Sequence, residues 1–282
     1  MPTTQTITRE TTLCISLAAR PSNIGTRFHN FLYDELGLNY LYKAFAPVDL
    51  GGAIAGVRAL GIRGCAVSMP FKEAAIPLVD EMDASASAIQ SVNTIVNTNG
   101  RLRAYNTDYR AVAQLLGSHQ VPPDYDFAVL GSGGMAKAVV AALRDGGFRS
   151  GHVIARSEAA GRALSEQYGF AYATHIGGFR PRLIVNATPI GMADGPGADQ
   201  LSFDADAVMR AEVVFDVVAF PAQTPLIALA NEMGKKTISG AEVIALQAAE
   251  QFFLYTGVRP TEDQVQGAAA FSRGQPDFAT SR

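Results

Sequence analysis

The sequence predicts an α/β fold with two domains, and three observations carry that prediction. The first is the stretch Phe127–Val139, where an apolar run, the glycine turn Gly131-Ser132-Gly133-Gly134-Met135-Ala136 and an Ala-rich helical pattern follow one another. That is the strand, tight turn and helix start of a dinucleotide-binding Rossmann unit, in which glycines let the backbone approach a pyrophosphate and the free N–H groups of the helix start face it. The second is a β-α-β-α-β pattern between Thr12 and Val67, which argues for a parallel sheet with right-handed crossovers. The third is the break Pro122-Pro123-Asp124 just ahead of the glycine turn, which puts the entry to the second domain between Asp108 and Asp124.

Taken in order, Thr12–Leu17 is a short apolar run and a first strand, and Arg20 to Thr26 is a loop. Phe28, Phe31, Leu32, Leu36 and Leu38 recur at helical spacing, so a helix runs from about Asn23 to Leu36. Tyr40–Ala46 is a second strand. Asp49 caps a helix through Ala59, with Ile54, Val57 and Leu60 as its apolar face. Arg63–Val67 is a third strand. Ser91–Val96 is a further strand, and Asn99-Gly100 turns it into Leu102–Ala104. A helix follows through about Leu116. Beyond the glycine turn come a helix Gly134–Asp145, a strand His152–Ala155, a helix Glu158–Tyr168 and a strand Leu183–Asn186. A strand Val213–Val218, a helix Thr224–Met233 and a short strand Lys236–Ile238 precede two closing helices, Gly240–Thr256 and Thr261–Phe271.

Composition narrows the function classes. The chain has 282 residues, room for two moderate cores, and a net charge of −3 with no basic block, so no nucleic-acid partner is expected. Cys14 and Cys65 both lie in apolar runs, which fits core packing in a reducing compartment. Four scattered histidines have no ligand spacing, so no metal is expected. The Thr-rich start lacks an apolar signal core, and no uncharged run is long enough to span a bilayer. A cytoplasmic monomer or homodimer acting on a small molecule, away from membranes, is the expectation.

Two polar groups stand where chemistry is expected. Lys72 ends Ser68-Met69-Pro70-Phe71-Lys72, directly after the third strand, and open α/β sheets bind ligands beyond the carboxyl ends of strands. The alternative for Lys72 is a solvated lysine at a helix start. Asp108 either caps its helix or takes part in chemistry. An NAD site usually ends its second strand with a carboxylate for the ribose hydroxyl, but here the strand ends in Ala155-Arg156-Ser157. Arg156 suits a 2′-phosphate or the adenine face, and Ser157 adds a hydrogen bond, so NADP is the expected cofactor. Glu158 would repel that phosphate if it pointed inward. Arg162 is either a second phosphate ligand or a solvated helix arginine.

Seven short motifs, in order and along nearly the whole chain, resemble the shikimate dehydrogenase family. They are Ala66-Val67-Ser68-Met69-Pro70-Phe71-Lys72, Val92-Asn93-Thr94, Asn106-Thr107-Asp108, the glycine turn, Ala155-Arg156-Ser157, Asn186 to Met192, and Gly240 with Gln247-Ala248. The resemblance implies a substrate domain (residues 1–107, completed by 240–282) around an inserted Rossmann NADP-binding domain (108–239). It implies that Lys72 exchanges a proton with the hydroxyl being oxidised and that Asp108 hydrogen-bonds the substrate and tunes the lysine. Asn93 and Gln247 would hold ring hydroxyls, with Ser68 in support. Thr188, Val217 and Gly240 would contact the cofactor together with Gly131 to Ala136, Arg156 and Ser157.

The departures fall in one place. The family's Ser-x-Ser-Pro, which binds the substrate carboxylate, becomes Asn23, Gly25 and Thr26 when aligned on His29-Asn30, with Ser22 one place away. The tyrosine of Asp-x-x-Tyr becomes Ala219, the first Asn of the third-strand motif becomes Ala66, and the Asp before Gly240 becomes Ser239. Ser22 and Asn23 are then the candidates for a rebuilt carboxylate site. The pattern is similar to the divergent shikimate dehydrogenase-like subgroup. The implied activity is NADP-dependent interconversion of shikimate, or a related cyclic polyol acid, with its 3-dehydro ketone, weakly with shikimate itself. Quinate or aminoshikimate dehydrogenase, and a non-catalytic module that binds NADP(H) or a ring acid, are the alternatives.

Overall fold

The computed structural model describes residues 6–274; residues 1–5 of the Thr-rich start, on which the expectation of no leader partly rests, lie outside them. The chain divides into two compact units, Met1–Thr107 with Ala245–Arg282, and Asp108–Ile244. The fold is α/β, with an N-terminal substrate-type domain completed by C-terminal helices and an inserted Rossmann-like domain. Among the described residues no helix is long and apolar enough to cross a membrane.

The first unit holds β1 (Thr12–Leu17), α1 (Ile24–Glu35), β2 (Tyr40–Phe45), α2 (Leu50–Ala59), β3 (Gly64–Val67), β4 (Glu81–Met82), α3 (Ala84–Ser87), β5 (Thr94–Thr98) and β6 (Arg101–Tyr105). Its sheet runs β2-β1-β3-β5-β6-β4. β1 pairs parallel with β2 and β3, as the alternating pattern predicts, but β5 runs antiparallel to β3 and β6. Asn99 (φ 53°) and Gly100 (φ 86°) supply the two left-handed positions that a tight hairpin needs. Two expectations change. The strand expected from Ser91 begins only at Thr94, because Val92 N–H donates to the Lys72 carbonyl (2.9 Å). Leu60 leaves the apolar face of α2: it is the C-cap residue and 77 % exposed. The elements β4 and α3 carry too few residues to show a period; Asp83 caps α3 by accepting the Ser85 N–H at 3.1 Å.

Strand alternation divides this unit's core between the two faces of the sheet. Ile15, Leu17, Cys65 and Val67 pack under α2 with Ile54 and Val57. Cys14, Tyr42 and Val96 pack on the other face against Phe28, Leu32 and Tyr33 of α1 and Phe252 and Tyr255. The two cysteines are buried and free on opposite faces. His29 lies wholly buried in the second cluster and stacks on Tyr42 (centroids 4.3 Å, planes 10° apart).

The second unit holds α4 (Thr107–Ser118, which starts one residue before the boundary), β7 (Phe127–Leu130), α5 (Gly134–Asp145), β8 (Gly151–Ile154), α6 (Glu158–Tyr168), β9 (Ala171–Ala173), β10 (Leu183–Asn186), α7 (Ala205–Arg210), β11 (Val213–Asp216), α8 (Pro225–Glu232) and β12 (Lys236–Ser239). All its strand pairs are parallel, in the order β9-β8-β7-β10-β11-β12. That is the doubly wound arrangement, whose order reverses between β7 and β10, and ligands bind at such a switch point. The sequence pattern does not separate β9 and α7 from their loops. The boundary back to the first unit falls inside α9 (Gly240–Thr256), and α10 (Glu262–Arg273) packs against α1.

Candidate functional site

In the second unit the switch point is built from the exits of β7 and β10. Ala187 N–H donates to the Leu130 carbonyl (2.8 Å), so the two loops start side by side. Gly131 has φ +129°, and a Cβ there would lie 2.8 Å from the Ala187 carbonyl oxygen. Glycine is required at this point both by the dihedral and by the backbone approach. Gly133 is the N-cap of α5 and offers no side chain to the first turn, and Gly134, Met135 and Ala136 open the helix. Their N–H groups are therefore left for an anion. Ser132 is half-buried in the turn. These features fit a dinucleotide pyrophosphate.

Arg156 follows β8, the second strand of the doubly wound order, and is exposed, with no hydrogen bond or ion pair to the other described residues. Ser157 is already the N-cap of α6 and accepts the Ala160 N–H at 3.4 Å, which leaves its O–H to donate. Glu158 pairs with Arg162 (2.8 Å) on the exposed face of α6.

A buried hydrogen-bond chain stands behind the switch point. Asn186 closes β10, and its Oδ1 accepts the Thr188 N–H (3.1 Å) and hydroxyl (2.6 Å). Asp216 closes β11; its carboxylate accepts from Asn186 Nδ2 (3.0 Å), Val218 N (3.0 Å) and Thr224 Oγ1 (2.6 Å). Burial pushes the Asp216 carboxyl up to about 6, against the pull of the Thr224, Val218 and Asn186 hydrogen bonds. Val217 N–H donates to the Asn186 carbonyl (3.0 Å). Gly240 opens α9, and a Cβ on it would lie 2.3 Å from the Val218 carbonyl, so only glycine admits this backbone contact. Ser239 and Glu242 form a capping box there: Glu242 Oε2 accepts the Ser239 N–H (2.8 Å) and hydroxyl (2.7 Å).

In the first unit the exits of β1 and β3 adjoin the entry to β5. Ser68 N–H donates to the Leu17 carbonyl (2.9 Å) and Ala19 N–H to the Met69 carbonyl (3.2 Å). The loop with Ser22 and Asn23 therefore leaves the sheet beside the loop with Ser68 and Lys72. Ser22, Asn23 and Ser68 are exposed and Lys72 is half-buried. Asn23 is the N-cap residue of α1 but makes no side-chain cap bond. The Lys72 carbonyl accepts the Val92 N–H (2.9 Å), which brings the lysine's turn against Asn93. Asn93 is buried and bonded to Thr107, whose hydroxyl also meets Gln247 Oε1 at 3.3 Å. Gln251, one turn further along α9, donates to the Asn93 carbonyl (3.2 Å) and the Thr94 hydroxyl (3.0 Å). Asn93 and Gln247 thus belong to one hydrogen-bonded region of this unit, which the turn carrying Lys72 joins through its backbone, and the loop of Ser22 and Asn23 leaves the sheet beside that turn.

Asp108 is the second residue of α4, in its first turn, and so is not the helix cap; it is 6 % exposed. Residue reading alone did not single out Asp216, Asn186, Thr107, Thr224 or Gln251. Three of them had a signal: Asn186 heads the run Asn186 to Met192, Asp216 heads the Asp-x-x-Ala run, and Thr107 is the centre of Asn-Thr-Asp. Among the described residues no group of three His, Cys, Asp or Glu could hold a metal ion.

A family model described as the shikimate dehydrogenase substrate binding domain matches residues 23–95. A shikimate dehydrogenase-like protein of Haemophilus influenzae is 53% identical over 267 residues, covering 95% of this chain and 98% of that protein. A solved structure of a shikimate 5-dehydrogenase-like protein superposes with a TM-score of 0.91 at 53% identity, over 95% of this chain and 100% of that one. The shikimate 5-dehydrogenase of Thermus thermophilus, solved in complex with NADP(H) and shikimate, gives a TM-score of 0.83 at 30% identity, over 93% and 99% of the two chains. Likeness at that level across both units, rather than over one module, means that this protein belongs to the shikimate dehydrogenase family.

Proposed function

We propose that this chain is an NADP-dependent dehydrogenase of a cyclic polyol acid, interconverting a ring alcohol and its ketone in the manner of shikimate and 3-dehydroshikimate. One observation carries the reading: the Val92–Lys72 backbone bond joins the turn that carries a half-buried lysine to the strand entry that carries the Asn93–Thr107–Gln247 chain. A lysine beside a row of fixed amides and a hydroxyl is the set needed to hold a polyol and manage the proton of one hydroxyl. NADP, when bound, accepts the hydride. The proton released as the carbonyl forms is assigned to Lys72, and the substrate hydrogen bond to Asp108. Asn93 and Gln247 are assigned to neighbouring ring hydroxyls, with Ser68 in support. Gly131 to Ala136 are assigned to the pyrophosphate, Arg156 with Ser157 to the 2′-phosphate, and Thr188, Val217 and Gly240 to the nicotinamide end.

Asn23, Gly25 and Thr26 in place of the family's Ser-x-Ser-Pro favour a substrate that differs from shikimate around its carboxylate. Ligand binding without turnover is the competing reading, and one experiment separates them. NADP⁺ reduction is followed at 340 nm with shikimate, quinate and an amino analogue, on the parent and on Lys72→Ala. The expected result is turnover on at least one acid, lost in Lys72→Ala, with NADPH affinity unchanged. Activity that survives in Lys72→Ala would overturn the proton role.

A further inference from the structure

We infer that Asp216 is a positioning residue that fixes the polarity of the Asn186–Thr188 loop, so that Thr188 meets the ligand as a hydrogen-bond acceptor; this rests on the cofactor reading above. A carboxylate only accepts, so it must face the Nδ2 side of Asn186. The Ile190 carbonyl on Nδ2 and the Thr188 N–H on Oδ1 ask for the same orientation from within the loop, and Asp216 is the partner that imposes it from outside the loop. Here Nδ2 is fixed between Asp216 (3.0 Å) and the Ile190 carbonyl (3.0 Å). Oδ1 is left for Thr188, and it takes both the backbone N–H and the hydroxyl proton. Thr188 Oγ1 also accepts the Ile190 N–H at 3.2 Å. A hydroxyl has one proton and two lone pairs, so one lone pair remains.

Thr188 therefore suits a donor on the ligand and not an anion. The phosphates of a dinucleotide only accept, whereas its nicotinamide amide and the ribose beside it can donate. The place agrees with this division. The uncapped helix start and Arg156 sit at the exits of β7 and β8, and Thr188 sits at the exit of β10, across the point where the strand order reverses. Asp216 has no other visible task in the loop's chemistry: it is wholly buried, and its remaining partners are the Val218 amide and the N-cap hydroxyl of α8.

The test compares two ligands by equilibrium binding: NADPH, and 2′,5′-ADP, which carries the phosphates and adenosine without the nicotinamide half. Asp216→Ala removes the acceptor of both Asn186 Nδ2 and the Thr224 hydroxyl. It is expected to weaken NADPH binding about tenfold and to leave 2′,5′-ADP within about twofold. Thr188→Val keeps the Asp216–Asn186 pair and removes the acceptor, and is expected to give the same NADPH-selective loss even if Asp216→Ala folds poorly. Amide exchange at Thr188 and Ile190 should quicken in Asp216→Ala, which reads the loop directly. Equal losses for both ligands, or an unchanged NADPH affinity in Thr188→Val, would overturn the inference, the latter together with the assignment of Thr188 to the nicotinamide end, while leaving NADP as the cofactor. A parent chain that binds neither ligand would overturn both.

Discussion

Asn93 and Thr107 hold each other twice: the Thr107 N–H donates to Asn93 Oδ1 at 2.8 Å, and Asn93 Nδ2 donates to Thr107 Oγ1 at 3.0 Å. Both are almost fully buried, at 3 % and 0 % exposure. The amide assigned to a ring hydroxyl is thus fixed from behind, with its second Nδ2 hydrogen left for a ligand. Thr107→Val keeps the side-chain shape and removes the hydroxyl that both Asn93 and Gln247 use. The expected outcome is a rise of about tenfold in KM for the acid substrate, the equivalent of one hydrogen bond at about 1.4 kcal/mol, with NADPH binding unchanged. Steady-state kinetics with each substrate varied in turn checks this. A parallel loss for both ligands would point to unfolding instead.

Cofactor choice should rest on Arg156. It is exposed after β8, without an internal partner among the described residues, so nothing competes with a 2′-phosphate for its guanidinium. Arg156→Ala removes a charge-assisted pair of about 1.5–3 kcal/mol, and KM for NADP⁺ should rise roughly tenfold to a hundredfold. KM for NAD⁺, which lacks that phosphate, should stay within about twofold. If both cofactors weaken together, Arg156 stacks on adenine rather than reading the phosphate.

The parts that repeat locally were legible in the sequence. The doubly wound unit shows itself through apolar runs of strand length, a glycine turn and helical spacing, and each of these is a short-range signal. The first three strands show for the same reason. What stayed hidden depends on partners far along the chain. Ser91–Asn93 has the composition of a strand, yet Val92 gives its N–H to Lys72 and ladder pairing starts at Thr94. Leu60 fits the apolar face of α2 by spacing, but the helix has ended there. Asp216 reads as the inside of a strand Val213–Val218 and Thr224 as the first residue of a helix; the fold ends the strand at Asp216, makes Thr224 the N-cap and brings their side chains to 2.6 Å. Lys72, Asn93 and Gln247 could be named from motifs, but motifs carry no sign that Thr107 links the last two.

Glycine substitutions should separate close backbone contact from idle flexibility. Gly240→Ala places a methyl group 2.3 Å from the Val218 carbonyl, where backbone must move to admit it. The cost is about 2–3 kcal/mol, seen as a fall of about 5–10 °C in Tm. Gly56 lies inside α2 with no atom within 4 Å of an added Cβ. Gly56→Ala should stabilise by about 0.5–1 kcal/mol, because it restricts the unfolded chain and improves helix propensity. Thermal melts of the two variants should therefore move in opposite directions.

The response to acid should be governed in part by His29. Its ring is wholly buried between Tyr42 and Phe252, and neither nitrogen reaches a hydrogen-bond partner. Gln251 approaches the ring, and its Nε2 donates to the Asn93 carbonyl and the Thr94 hydroxyl. Burial pushes the imidazole down to about 3 from an ordinary 6.5, with Gln251 opposing the shift. Between those values the unfolded chain binds the proton and the folded chain does not, so stability rises with pH through this window. The contribution is full above about 6.5 and is lost as the pH falls toward about 3. His29→Phe keeps a flat ring against Tyr42, removes two buried polar atoms and cannot take up a proton. Its Tm at pH 7 should equal or exceed that of the parent, and the gap should widen at pH 5.5 and again at pH 4, both chosen to fall inside the window. A constant gap across the three melts would assign the acid response to other groups.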